Sequence, residues 1–177
     1  MVVTIVNTTA RTGNLSTNVA NALAKEFVFA NDTLSVEVVE VSDHVKVAMT
    51  VPPWGEGGAD SVPTVWKDIV SKSDVFVFVL PEYNHSYPGE WKLLMDSLFK
   101  EYTDKKAYMV GVSAGSFGGT RVIEHVIPLL SNFKFNLGSS RLLVSNVSKS
   151  VSGDGEFTDE GTRERAVKFV DEVLKSA

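Results

Sequence analysis

Short, unbroken apolar runs alternate along the chain with stretches whose apolar residues recur every three or four positions. Val2 to Val6 and Val75 to Leu80 (VFVFVL) are continuous and rich in β-branched and aromatic residues, as strands buried on both faces of a parallel sheet must be. Ala107 to Val112 (AYMVGV) reads the same way. Ser35 to Val41 and Arg141 to Val147 are diluted by polar residues, which places them nearer the sheet's edges. Between these runs the period becomes helical. Val19, Leu23 and Phe27 mark one helix, Val65 to Val70 a shorter one, Val122 to Leu130 another, and Ala166, Val170, Val173 and Leu174 the last. The longest stripe is Trp91, Leu94, Met95, Leu98, Phe99 and Tyr102; opened by Pro88, it predicts a single helix. Pro128 should kink the helix that contains it.

Strand and helix thus alternate five times, which implies right-handed crossovers and a three-layer α/β domain. Because the first, third and fourth strands are the apolar, interior ones, the expected sheet order is 2-1-3-4-5, the flavodoxin-like arrangement, in a single domain over 1–177. Asp43 to Ser61, with Pro52, Pro53 and three glycines, reads as a long irregular loop. In such a sheet a ligand sits beyond the carboxyl ends of the strands, beside the first one. The loops after strands one, three and four are therefore where chemistry is expected.

Composition narrows that chemistry. The 177 residues include no cysteine, which excludes thiolate metal sites, disulfides and thiol redox catalysis, so any redox reaction must use a bound cofactor. The charge is −5, with no cluster of Lys and Arg, which argues against nucleic acid. No run approaches the roughly 18 apolar residues of a membrane span. The opening MVVTIV lacks the basic leader and length of a secretory signal, so a cytoplasmic location is expected and the Asn-x-Ser/Thr matches at Asn7, Asn14, Asn31, Asn84 and Asn146 are chance composition.

The first loop, Asn7 to Thr17, gathers hydroxyls, Gly13, Arg11 and a helix N-terminus on one spot, as a phosphate requires. Read more plainly, it is a polar turn with Ser16 as the helix N-cap. It matches neither GxGxxG nor the P-loop, so a monophosphate fits better than a pyrophosphate. The third-strand loop, Pro81 to Gly89, crowds Tyr83, Asn84, His85 and Tyr87 at the sheet edge, where a flat heteroaromatic ligand could rest unless the two tyrosines are packing residues. The fourth-strand loop, Ser113 to Gly119, has three glycines that admit close backbone approach, or merely make a flexible turn. Gly111 to Gly115 also matches GxSxG, but a hydrolase triad needs an acid and then a His after Ser113, and the only later His is His125, inside the next helix.

Taken together, these loops resemble the NADPH-dependent FMN reductase family, a flavodoxin-like group that includes azo-, quinone and chromate reductases. The resemblance is carried by Pro81-Glu82-Tyr83-Asn84-His85-Ser86-x-Pro88-Gly89 with Lys92 and Asp96 beyond it, by Gly115-x-x-Gly118-Gly119, and by Thr9-x-Arg11 to Ser16. Asn7-Thr8 stands where the family usually has Gly-Ser, and Leu93 where an Asn commonly follows the Lys. The resemblance implies FMN as cofactor, its phosphate on Thr9, Arg11, Asn14, Leu15, Ser16 and Thr17. Its ring would lie against Pro81, Glu82, Tyr83 and Asn84, closed by Ser113, Ala114, Gly115, Phe117, Gly118 and Gly119. It further implies ping-pong transfer of hydride from NADPH or NADH to a small-molecule acceptor such as a quinone, azo compound or free flavin, with no catalytic side chain and no metal. A homodimer or dimer of dimers is implied as well, and the rings of Trp91, Phe99 and Tyr102 supply apolar area for it unless they are core. The competing reading is a flavodoxin-type single-electron carrier without NAD(P)H activity; the modest charge and the Glu82–Asn84 segment favour the reductase.

Overall fold

The VFVFVL run forms the middle strand of the sheet. In the computed structural model, which describes residues 1–45 and 64–176, this strand, β3 (Val75–Pro81), is buried over its whole length. Its alternate residues serve two separate cores. Val75, Val77 and Val79 point toward α1 (Ser16–Ala30) and the C-terminal helix (Glu160–Ser176), meeting Leu23 and Phe27 of the first and Phe169 and Val170 of the second. Phe76, Phe78 and Leu80 point the other way, onto Trp66, Trp91, Leu94 and Val122. A strand covered on both sides has no solvent-facing positions, hence no polar alternation.

Around it lie β1 (Val2–Asn7), β2 (Ser35–Glu40), β4 (Lys106–Val112) and β5 (Asn136–Val144), all parallel, in the order β2-β1-β3-β4-β5. The sheet order is the expected one. The remaining helices are α2 (Val41–His44), α3 (Thr64–Lys72), α4 (Gly89–Asp96), α5 (Thr120–Asn132) and α6 (Val147–Ser150), so that the C-terminal helix is α7. Helix α5 runs on through Pro128. The irregular loop expected over Asp43–Ser61 lies outside the described residues except at its start, where Asp43 and His44 complete α2.

Two boundaries differ from the expectation. The last strand begins at Asn136 and ends at Val144 rather than running from Arg141 to Val147. Its polar opening, Asn-Leu-Gly-Ser-Ser, is held by pairing with Lys106 and Ala107 of β4, and a Cβ on Gly138 would enter the Tyr108 ring, so close packing outweighs poor strand propensity. Val147 instead opens α6, after Asn146 turns the chain at φ 48°. The Trp91–Tyr102 stripe, in turn, is not one helix. Ser97 Oγ donates to the Leu94 carbonyl at 2.6 Å, the Ser97 and Leu98 amides bond three residues back, and the chain continues as a 3₁₀ turn over Lys100–Tyr102.

The stripe's burial pattern nevertheless holds. Trp91, Leu94, Met95, Leu98 and Tyr102 are all within the core, with Phe99 packed partly against it. Trp91 and Tyr102 are fully buried within the chain, so these rings offer a partner subunit no apolar area.

Tyr102 accepts a hydrogen bond from Trp66 Nε1 at 2.9 Å, and burial pushes its phenol far above the ordinary range, keeping it neutral. Tyr102→Phe strands a buried indole N–H and is expected to cost about 1–3 kcal/mol, read as a lower urea midpoint. The Trp66→Phe, Tyr102→Phe pair is expected to lose less than the two single losses summed, because it leaves no orphaned donor.

Candidate functional site

The loop after β1 is held by side chains that bond one another. The amide and hydroxyl of Thr8 both donate to the Val79 carbonyl, at 3.2 and 2.8 Å, fixing the loop's start on β3. Asn14 is the hub beyond it: its Oδ1 accepts from the Thr17 amide at 3.0 Å and the Thr17 hydroxyl at 3.2 Å, while its Nδ2 donates to the Arg11 carbonyl at 2.9 Å. Asn14 therefore caps α1; the expected alternative cap, Ser16, is the first helical residue. Asn7 Nδ2 donates to Glu40 Oε2 at 2.6 Å and to Thr17 Oγ1 at 2.9 Å, tying the end of β2 to the same loop.

What these side chains leave over is backbone. Among the described residues the amide hydrogens of Thr12, Gly13, Leu15 and Ser16 have no acceptor, nor does the Ser16 hydroxyl have a partner. Arg11 has no carboxylate in ion-pair range there, and its guanidinium lies 5.5 Å from the centre of the Tyr83 ring. The first turn of α1 carries no acidic residue. Unpaired amides at a helix N-terminus, a free guanidinium and no opposing carboxylate in that turn are the donor set for an anion.

Thr9, expected on the phosphate, is buried behind this cradle. Its one hydroxyl proton goes to Glu90 Oε1 at 3.0 Å, so the Tyr83 hydroxyl, 2.9 Å away, donates to Thr9 Oγ1. Glu90 Oε1 also accepts from the Ala10 amide at 2.8 Å. The first residues of α4 and the loop after β1 are thereby locked together, with Tyr83 standing between them.

The loop after β3 is a two-residue hairpin. Tyr83 and Ser86 exchange two backbone hydrogen bonds of 2.9 Å, with Asn84 at φ 50° and His85 at φ 67° between them. Asn tolerates that conformation; His does so at a cost. Both are exposed at the tip and their amides are unpaired among the described residues. His125 Nδ1 lies 3.3 Å from Ser86 Oγ, and Ser113 Oγ donates to the Gly115 carbonyl at 2.9 Å. The GxSxG serine thus has no histidine partner, and the hydrolase reading falls.

In the loop after β4 two of the three glycines, Gly118 and Gly119, pack against protein. A Cβ on Gly119, at φ 79°, would lie 2.6 Å from the Val112 amide nitrogen, and one on Gly118 2.8 Å from Leu143 Cβ. Gly111 faces the Gly118 carbonyl in the same way. These three let the loop fold back flat on the ends of β4 and β5. The chain after β5 joins it there, the Val147 amide donating to Ser113 and the Asn146 amide to Gly115.

A cavity of about 400 Å³ opens between the three loops. Of the expected site residues, Arg11, Asn14, Leu15 and Ser16 line it from the first loop, Pro81, Glu82 and Tyr83 from the second, and Ser113 and Ala114 from the third. Thr9 and Thr17 lie behind the wall, and Asn84, Gly115, Phe117, Gly118 and Gly119 do not line it. Gly13, read in the sequence as part of the phosphate loop, lines it too, whereas sequence reading missed Thr12, Val112 and Val147. Thr12 is flanked by residues that were singled out, whereas nothing in the sequence marks Val147. A second cleft, of about 320 Å³, lies against α1 and the Gly155–Phe157 turn, but its charged residues pair with one another, Lys25 with Glu156 and Arg163 with Glu26.

The fold is that of a flavodoxin-like α/β protein, with a cavity that joins three loops at the sheet's carboxyl edge. The family model for NADPH-dependent FMN reductase matches residues 1–148, and the chain belongs to that family. It is similar to the NAD(P)H-dependent FMN reductase LOT6 of Saccharomyces cerevisiae, 37% identical over 79 residues, which are 45% of this chain and 40% of that protein. It is also similar to a quinone reductase of Pseudomonas putida, 32% identical over 126 residues, covering 66% of this chain and 62% of the relative. The matched stretches thus span less than two thirds of either relative's length. Among solved structures, the NAD(P)H:acceptor oxidoreductase FerB of Paracoccus denitrificans shares the fold with a TM-score of 0.77 at 22% identity, over 98% of this chain and 95% of that one.

Because a side chain on Gly119 must displace the backbone of β4, Gly119→Ala is expected to destabilise by about 1–3 kcal/mol, read as a lower urea midpoint. The Gly115→Ala control, where a Cβ meets nothing within 4 Å, is expected to leave stability within about 0.5 kcal/mol.

Proposed function

We propose that this protein binds FMN in the three-loop cavity and acts as an NAD(P)H-dependent oxidoreductase that passes hydride through the flavin to a quinone, azo compound, free flavin or similar small acceptor. The observation that carries the reading is the cradle of unpaired donors at the start of α1, opening into the same cavity as Tyr83. The fit to FMN can be judged on that cradle. A phosphomonoester needs several donors and no opposing carboxylate, and Arg11, the Ser16 hydroxyl and the amides of Thr12, Gly13, Leu15 and Ser16 supply them. The planar head needs a slot with an aromatic wall and a free edge donor; Tyr83 supplies the wall and the Ala114 amide, which has no acceptor among the described residues, the donor, in a cavity of about 400 Å³. The residues fit the group.

Bound there, FMN supplies the hydride chemistry, and the residues of this chain hold, orient and polarise. Arg11 and the cradle anchor the anionic end, fixing how far the head reaches along the sheet edge. Tyr83 is kept upright by its hydrogen bond to Thr9, which Glu90 holds in turn. No side chain need transfer a proton, so the absence of a Ser-His pair at Ser113 is no defect. A ping-pong order, in which NAD(P)H would leave before the acceptor enters, belongs to the same proposal on family membership alone. A homodimer belongs to the same proposal on family membership alone. A cytoplasmic location accords with the finding that no described helix is long and apolar enough to cross a membrane.

Arg11→Ala is expected to weaken FMN about ten- to a hundred-and-fifty-fold in a fluorescence titration, the loss of one charge-assisted contact of about 1.5–3 kcal/mol. Unchanged affinity would place the phosphate elsewhere. Anaerobic mixing of the FMN-loaded protein with NADPH or NADH is expected to bleach the yellow colour within the mixing experiment; a spectrum that stays oxidised with both would mark a single-electron carrier instead.

A further inference from the structure

The cavity wall contains one carboxylate among the described residues, Glu82, and that carboxylate is neutralised from outside the cavity. Glu82 Oε1 accepts from Arg121 Nη1 at 3.0 Å and Glu82 Oε2 from the Arg121 backbone amide at 3.2 Å. The Glu82 side chain is 9% exposed, Arg121's 41%. Arg121 is the second residue of α5, whose cap position, Gly119, has no side chain to satisfy the helix's first amides, so Glu82 performs that task from another loop. The Arg121 guanidinium carbon also lies 4.7 Å from the centre of the Phe117 ring. Arg121 itself does not line the cavity.

This arrangement has an electrostatic consequence for a ligand that changes charge. Two electrons and one proton convert a neutral flavin head into an anion, which a bare carboxylate in the wall would oppose. Arg121 and the positive end of the α5 dipole oppose that carboxylate. We propose that the Glu82–Arg121 pair sets the reduction potential of the bound flavin, with Glu82 in the wall and Arg121 a positioning residue that neutralises it. The inference rests on the FMN reading above and goes beyond it, since FMN could bind there without the pair affecting its potential.

The two charges can be removed one at a time, and the signs then separate. In the FMN-loaded protein, Arg121→Gln leaves the carboxylate uncompensated and is expected to lower the midpoint potential measured by spectroelectrochemistry. Glu82→Gln leaves the guanidinium uncompensated and is expected to raise it. Each shift should be at least about tenfold in the ratio of affinities for reduced and oxidised FMN, which is about 30 mV for a two-electron couple. Arg121→Lys, which keeps the charge, and the double Gln variant, which keeps neutrality, should both lie close to wild type. A merely structural strut would not give shifts of opposite sign. Equal, absent or same-direction shifts in a wild-type background that does bind FMN would overturn this inference and leave the FMN reading intact. Failure of the wild-type protein to bind FMN would overturn both. Should Arg121→Gln fail to fold, Glu82→Gln decides alone: a potential that does not rise refutes the proposal.

Discussion

A parallel sheet covered on both faces leaves a ligand only its ends, and that constraint governs everything else in this protein. Every residue of β3 is buried, so neither face of the central strand can carry a polar site. All five strands run the same way, so the loops that follow them emerge at one edge. Helix α1 leaves β1 toward one layer and α4 leaves β3 toward the other, and because β1 and β3 are neighbours the two departures open a crevice between them. The cavity is the geometric consequence of that divergence. The chemistry is then decided by what the loops offer at its rim.

At the rim the side chains and the backbone have different tasks. Thr9, Asn14, Thr17, Glu90 and the amide nitrogen of Asn7 spend their hydrogen bonds on one another and on the loops. The amides of Thr12, Gly13, Leu15 and Ser16 are left free. Backbone donors suit this role because they cannot swing away or change protonation, and polar residues behind them hold the amides in place without competing for the ligand. Asn7 shows the same logic. Its amide nitrogen reaches across to bind Glu40 at the end of β2.

The sheet order was legible because apolar continuity in Val2–Val6, Val75–Leu80 and Ala107–Val112 reports burial on both faces, a property of tertiary structure written locally. The start of β5 was not, since Asn136 to Ser140 pairs through its position beside β4 rather than through its composition. The Trp91–Tyr102 stripe gave burial correctly and helix length incorrectly, because one serine hydroxyl bonding back to Leu94 is enough to tighten the turn while leaving the apolar face in register. In the site, the three loops were recognisable from their glycines, hydroxyls and aromatics. Which members face the cavity was not. Thr9 and Ser16 are both hydroxyl residues near Arg11, and only their partners, Glu90 and none, separate a residue behind the wall from a donor within it.

The same distinction between a residue's presence and its partner governs Glu82. Seen in the sequence it is an acid beside a tyrosine, and an acid is a poor neighbour for a ligand that gains negative charge. In the structure it is the cap of α5 and the counter-ion of Arg121, two tasks that hold the second and third loops at a fixed separation. A neutral side chain of similar size could line the cavity equally well, but it would leave the first amides of α5 without their strongest acceptor and the guanidinium free to reach elsewhere. The carboxylate is therefore best understood as belonging to the helix and the arginine, with the cavity meeting only the residue of charge that those two leave uncancelled. Because that residue is a small difference between larger opposed terms, it is the part of the site most readily adjusted by a single substitution, without altering the sheet or the loops that shape the pocket.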